Sequence, residues 1–118
     1  MTSSDIENIA NEKVLLLTTI GRKTGLPREI EIWFVVHRGC FFLFAEMGEA
    51  AKWVKNIRRN PEVRMRIGEH RINATARVLD APGDQGLRNQ VAAIARVKYG
   101  WGDGLPVELH PLTPRRRD

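Results

Sequence analysis

Val63-Arg64-Met65-Arg66-Ile67-Gly68-Glu69-His70-Arg71-Ile72-Asn73-Ala74-Thr75-Ala76-Arg77-Val78 decides the fold, because apolar and polar residues alternate on both sides of a short turn. A period of two places successive side chains on opposite faces of a sheet. Val63, Met65 and Ile67, then Ile72, Ala74, Ala76 and Val78, therefore face a core, while Arg64, Arg66, Arg71, Asn73, Thr75 and Arg77 face away from it. Two strands are predicted, Val63 to Ile67 and Arg71 to Leu79, joined through Gly68-Glu69-His70. Their arginine-bearing face is either solvated or ligand-facing.

The rest of the chain supplies partners for that pair. Val14 to Ile20 is a nearly continuous apolar run, the pattern of a strand covered on both faces. A second strand runs from Arg28 to His37, with Ile30, Ile32 and Phe34 on one face and Glu29, Glu31 and Trp33 on the other. Arg38-Gly39 turns the chain into a third, Cys40 to Ala45, and Pro106 to Leu112 forms a last short one. Between them, Ala50, Trp53, Val54 and Ile57 recur at helical spacing up to Asn60-Pro61, and Leu87, Val91, Ile94 and Ala95 mark a helix after Pro82-Gly83-Asp84 that runs to about Lys98. Ser3 or Ser4 can cap a first helix within residues 1–12, and residues 113–118 read as a loose end. Residues 1–118 thus form one domain of the α+β class, mainly β: about six strands, mostly antiparallel, curled into a barrel with two main flanking helices.

The chain has 118 residues and a formal net charge of +5. Arg115, Arg116 and Arg117 in the terminal segment, with Arg58 and Arg59 at a helix end, account for that excess, so the charge does not argue for a nucleic-acid partner. The single cysteine, Cys40, reads as a buried small hydrophobe. No apolar run is long enough for a membrane span, and a cytoplasmic location is expected. His37, His70 and His110 are scattered without ligand spacing, so no metal site is expected. Neither a nucleophile elbow nor a nucleotide phosphate loop is present.

Chemistry is concentrated in Gly21-Arg22-Lys23-Thr24-Gly25-Leu26-Pro27-Arg28, which follows the first strand. Glycines let backbone turn tightly and approach a ligand, and Arg22, Lys23 and Arg28 can hold oxyanions through charge-assisted hydrogen bonds. The same residues also suit an ordinary hairpin loop. Together with Trp33 and with Lys52 and Trp53 they are the parts of a cleft for an aromatic redox cofactor with an anionic tail.

The stretch Thr18 to Arg28, the helix Ala50 to Pro61 with Trp53, Lys55-Asn56-Ile57 and Asn60-Pro61, and the strand Val63 to Gly68 resemble the deazaflavin (F420)-dependent nitroreductases and quinone reductases. The resemblance covers most of the chain. It implies a split β-barrel of the flavin-binding type and coenzyme F420, whose tail carries a phosphodiester and a glutamate chain, with FMN as the alternative cofactor. It implies that Gly21, Arg22, Lys23, Thr24, Gly25 and Arg28 hold the tail, that Trp33 lies along the groove, and that Ala45, Glu46, Lys52 and Trp53 flank the ring. The connection before Trp53 is shorter than in nitroimidazole-reducing members, which alters the width of the pocket. The implied reaction passes a hydride from the reduced coenzyme to a small-molecule acceptor such as a quinone or nitro compound, with Tyr99 as a hydrogen-bond donor to the acceptor. A non-catalytic cofactor-binding role and a homodimer paired across a sheet face are the further expectations.

Overall fold

The structure, a computed structural model, describes residues 9–112. Six strands, β1 (Val14–Ile20), β2 (Pro27–His37), β3 (Cys40–Ala45), β4 (Glu62–Ile67), β5 (His70–Val78) and β6 (Leu105–Pro111), close into a barrel in the order β1-β2-β3-β6-β5-β4. Every pairing is antiparallel. Two helices accompany it, α1 (Lys52–Arg59) and α2 (Gln85–Tyr99). The expected helix within residues 1–12 and the expected loose end at 113–118 lie largely or wholly outside the described residues.

Alternation does build the barrel. Leu15, Leu17, Phe34, Phe41, Leu43, Met65, Ala74, Val107 and Leu109 point inward and are buried, and Val54 and Ile57 of α1 join that core from one end. α1 is shorter than the periodicity suggests, because Gly48–Ala50 makes a single 3₁₀ turn and Ala51 is extended before the helix begins. α2 lies against the outer side of β2 and β3, where Val91 and Ala95 meet Val35, Cys40, Phe42, Phe44 and Leu79. Its last turn also ties the segment before β1 to β2: the Lys98 ammonium donates to the carbonyls of Ala10, Glu12 and Phe34 at 3.0, 2.7 and 3.0 Å.

One expectation is corrected. β1 is fully buried on its inner face only: Leu15, Leu17 and Thr19 are buried, whereas Val14, Leu16, Thr18 and Ile20 are half-buried on the outer face. Apolar density along a strand reports how much surface resists water but not which element covers it. Cys40 is buried as expected, and pairing of β3 with β6 brings its Sγ to 3.2 Å from Nδ1 of His110, a partner remote in sequence. Burial holds that thiol above its ordinary range, as does the nearby Glu108 carboxylate, which suits an inert side chain. No helix among the described residues is long and apolar enough to cross a membrane.

Candidate functional site

β1 ends at Ile20, and the loop that follows is shaped by its own backbone. The Gly21 N–H donates to the Leu26 carbonyl at 2.8 Å, and the Gly25 N–H donates to the Gly21 carbonyl at 2.8 Å. The Leu26 N–H donates to the Thr24 hydroxyl at 3.2 Å. A Cβ on Gly21 would stand 2.8 Å from that hydroxyl oxygen, and Gly25 has φ +72°, so both glycines are required by geometry. The loop is thereby closed on itself, and its cations project outward.

Asn56 locks the loop to α1. Only 5% exposed, it donates through Nδ2 to the Thr19 hydroxyl at 3.1 Å, and its Oδ1 accepts from the Arg22 N–H at 3.1 Å and from Arg22 Nη1 at 3.3 Å. A buried amide must find partners, and here both of its ends do. The helix, the strand end and the first cation of the loop are thus held as one unit.

Between α1 and the loop opens a cleft of about 720 Å³. Arg22, Lys23, Arg28 and Lys52 line it, and none of the four is in an ion pair among the described residues. Glu29 is the carboxylate on its wall, while Pro27, Ile30 and the half-buried Trp53 supply apolar surface. Four cations against one acid, beside an aromatic shelf, fit a ligand with a flat ring and an anionic tail.

The structure brings Gly21, Arg22, Lys23, Thr24, Arg28, Lys52 and Trp53 to this cleft. Gly25 lines an adjoining shallower hollow with Arg22, Arg59 and Asn60. It does not bring Trp33, Ala45, Glu46 or Tyr99 there. Trp33 lies six residues along β2 from Pro27, about 20 Å at the rise of an extended strand, and its ring stacks on Tyr99 with centroids 4.5 Å apart and planes 5° from parallel. The Tyr99 hydroxyl accepts from the Phe34 N–H at 3.1 Å and lies 2.6 Å from the Lys13 carbonyl and 2.8 Å from the Phe34 carbonyl. Burial raises its pKa, and backbone groups use its hydrogen-bonding capacity. Ala45 is buried in the barrel core, and Glu46 is exposed just beyond β3.

Thr19 and Asn56 are the site residues that sequence reading left unassigned. The available signal was a polar residue on the buried stripe of an amphipathic helix, between Trp53 and Ile57.

The fold recurs in solved structures. The heme storage protein HutZ from Vibrio cholerae is 19% identical, with a TM-score of 0.73 over 95% of this chain and 91% of that one. The conserved hypothetical protein Rv2991 from Mycobacterium tuberculosis is 19% identical, with a TM-score of 0.72 over 98% and 82%. An F420-H2 dependent reductase (FDR-A) is 24% identical, with a TM-score of 0.64 over 82% and 92%. At these identities the likeness establishes the barrel and nothing finer. The family model for F420H(2)-dependent quinone reductase matches residues 3–107, nearly the whole chain. The protein therefore belongs to the F420H(2)-dependent quinone reductase family, oxidoreductases whose coenzyme is F420.

Proposed function

We propose that this chain reduces a small electrophilic acceptor, a quinone or an activated nitro compound, at the cleft between the β1–β2 loop and α1. The observation that carries the reading is the cluster of cations, Arg22, Lys23, Arg28 and Lys52, that line the cleft with Trp53 and Ile30 and have no ion-pair partner among the described residues. Reduced F420 supplies the hydride when bound. Arg22, Lys23 and Arg28 would hold its phosphodiester and tail carboxylates through charge-assisted hydrogen bonds. Trp53 and Ile30 would offer a bound ring an apolar wall. Asn56 fixes the Arg22 backbone and guanidinium before the ligand arrives, so less ordering is required on binding. Tyr99 has no part in this reading, because its hydroxyl is committed to the backbone of Phe34 and Lys13. The protein works in the cytoplasm as a homodimer.

The test is a titration of purified protein with oxidised F420 and, separately, with FMN, followed by tryptophan fluorescence at two salt concentrations. Tight binding of F420 that weakens with salt, followed by turnover of quinones with the reduced coenzyme, supports the proposal. Preference for FMN, or binding without turnover of any acceptor, overturns it in favour of a flavin enzyme or a non-catalytic carrier of the same fold.

A further inference from the structure

The outer faces of β4 and β5 carry four arginines, Arg64, Arg66, Arg71 and Arg77, and the alternation that builds the core leaves all four exposed. Arg77 is matched within the chain, by Asp84 at 2.9 Å and Glu108 at 3.6 Å. The other three have no ion-pair partner among the described residues. Strand register nevertheless brings those three together. Arg66 and Arg71 are direct cross-strand partners, and Arg64, two residues before Arg66 on the same face, stands opposite Asn73. Like charges placed directly across an antiparallel pair oppose the pairing.

A hollow of about 320 Å³ opens over this group. Arg64, Arg66 and Arg71 line it, Thr18 and Asn73 add neutral hydrogen-bonding groups, and Glu29 is its one acid. Thr18 neighbours Arg64 in the register and Glu29 neighbours Thr18, so the acid stands two strands, about 10 Å, from the nearest arginine. That separation is about a Debye length in physiological salt, so Glu29 does little to neutralise the three cations. Each guanidinium presents a planar fork of donors that matches two oxygens of a phosphate or carboxylate.

We infer that the outer face of β4 and β5 is a second anion site, apart from the coenzyme cleft, that takes a small molecule with adjacent phosphate or carboxylate groups between Arg66 and Arg71, with Arg64 at its edge. An oxyanion placed there turns a like-charge contact into a bridge across the two strands. Arg77 shows that the chain supplies its own acids where an arginine serves the fold, and it supplies none here. The occupant is a separate molecule from the one in the cleft. The two hollows meet at Pro27 and Glu29, and an anionic chain running from one to the other would have to pass the Glu29 carboxylate. It is also a small molecule, because a nucleic-acid backbone needs cations spread along a stripe, whereas these occupy two adjacent cross-strand rows.

The experiment titrates the isotope-labelled full chain with inorganic pyrophosphate and, separately, with citrate, at constant ionic strength, and follows the amide NMR signals. In the native chain the signals of residues 64–73 are expected to shift and to saturate, and the tighter of the two probes identifies the site as one for phosphates or for polycarboxylates. The Arg66→Gln, Arg71→Gln double variant changes exposed positions only, and circular dichroism checks its fold. Its binding at residues 64–73 should be at least about tenfold weaker, while the signals of residues 21–28 respond as in the native chain. Shifts confined to residues 21–28, shifts at 64–73 that never saturate, or shifts that survive the double substitution overturn the inference. Thermal melting gives a second readout. At low ionic strength without added anion, Arg66→Gln should melt above the native chain, and saturating pyrophosphate should reverse that order. A variant that melts below the native chain without anion, or an order that pyrophosphate leaves unchanged, overturns it as well. No F420 enters these measurements, so failure here is separate from failure of the functional reading.

Discussion

The two outer faces of the barrel are made of similar strands and have different fates. β3 reads Cys-Phe-Phe-Leu-Phe-Ala and is buried on both faces, because α2 lies across Phe42 and Phe44. β4 reads Glu-Val-Arg-Met-Arg-Ile and is buried on its inner face only. A continuous apolar strand obtained its cover from the same chain, and an alternating one needed none. β1 falls between the two: it is more apolar than β4 but carries Thr18 and Thr19, and its outer side chains are half-buried where those of β4 are exposed.

The comparison can be broken most forcefully on the covered side. Phe42→Ala removes a 1% exposed ring from beneath α2 and should cost about 3–5 kcal/mol in chemical denaturation; a loss within error of zero would mean that α2 does not seal this face. Asn56→Ala leaves the Thr19 hydroxyl and the Arg22 N–H without their buried partner and should cost about 1–3 kcal/mol, together with weaker coenzyme binding. Restoration of both by Asn56→Gln would not be expected, since the longer side chain displaces the amide. On the other side the half-buried Leu16 is a smaller loss, and Leu16→Ala should cost about 1 kcal/mol or less in the same measurement. A loss as large as that at Phe42 would show that something within the chain already covers β1.

The smallest effect is a pH dependence at the junction of the two faces. The Arg77 guanidinium holds the Asp84 carboxyl below its ordinary pKa of 3.8, and the Ala81 N–H adds to the effect. A carboxylate with a depressed pKa contributes stability that is fully present above its unfolded-state value and is lost as pH falls through its folded-state value. Native protein and Asp84→Asn should therefore differ in thermal midpoint at neutral pH, and the difference should close below about pH 3.8. A constant difference across that range would contradict the pairing.

Much of the fold was legible in the sequence because it is written locally. Alternation in 63–78 gave the inner face of β4 and β5 directly, and turn residues separated the strands. Which element covers an outer face is a tertiary matter, and for that reason the apolar run Val14 to Ile20 predicts full cover on both faces where the outer one is only half-buried. The site divides in the same way. Gly21, Arg22, Lys23, Thr24 and Arg28 were found because a loop carries its chemistry in consecutive residues, and Lys52 and Trp53 because they open a helix. Asn56 becomes a site residue only when α1 lands over the end of β1. Trp33 is expected along the cofactor groove and Tyr99 as a hydrogen-bond donor to the acceptor, but periodicity fixes the face of a strand and not the distance along it, and Trp33 lies six residues along β2 from Pro27, stacked on Tyr99 of α2.

The central claim is that the β1–β2 loop holds the anionic tail of F420. Titration of the Arg22→Ala, Lys23→Ala double variant with oxidised F420, with circular dichroism as a check on folding, tests it most directly. Loss of charge-assisted hydrogen bonds at about 1.5–3 kcal/mol each predicts an affinity at least about tenfold weaker with the fold intact. An affinity equal to that of the native chain would contradict the assignment of this loop and of the cleft built around it.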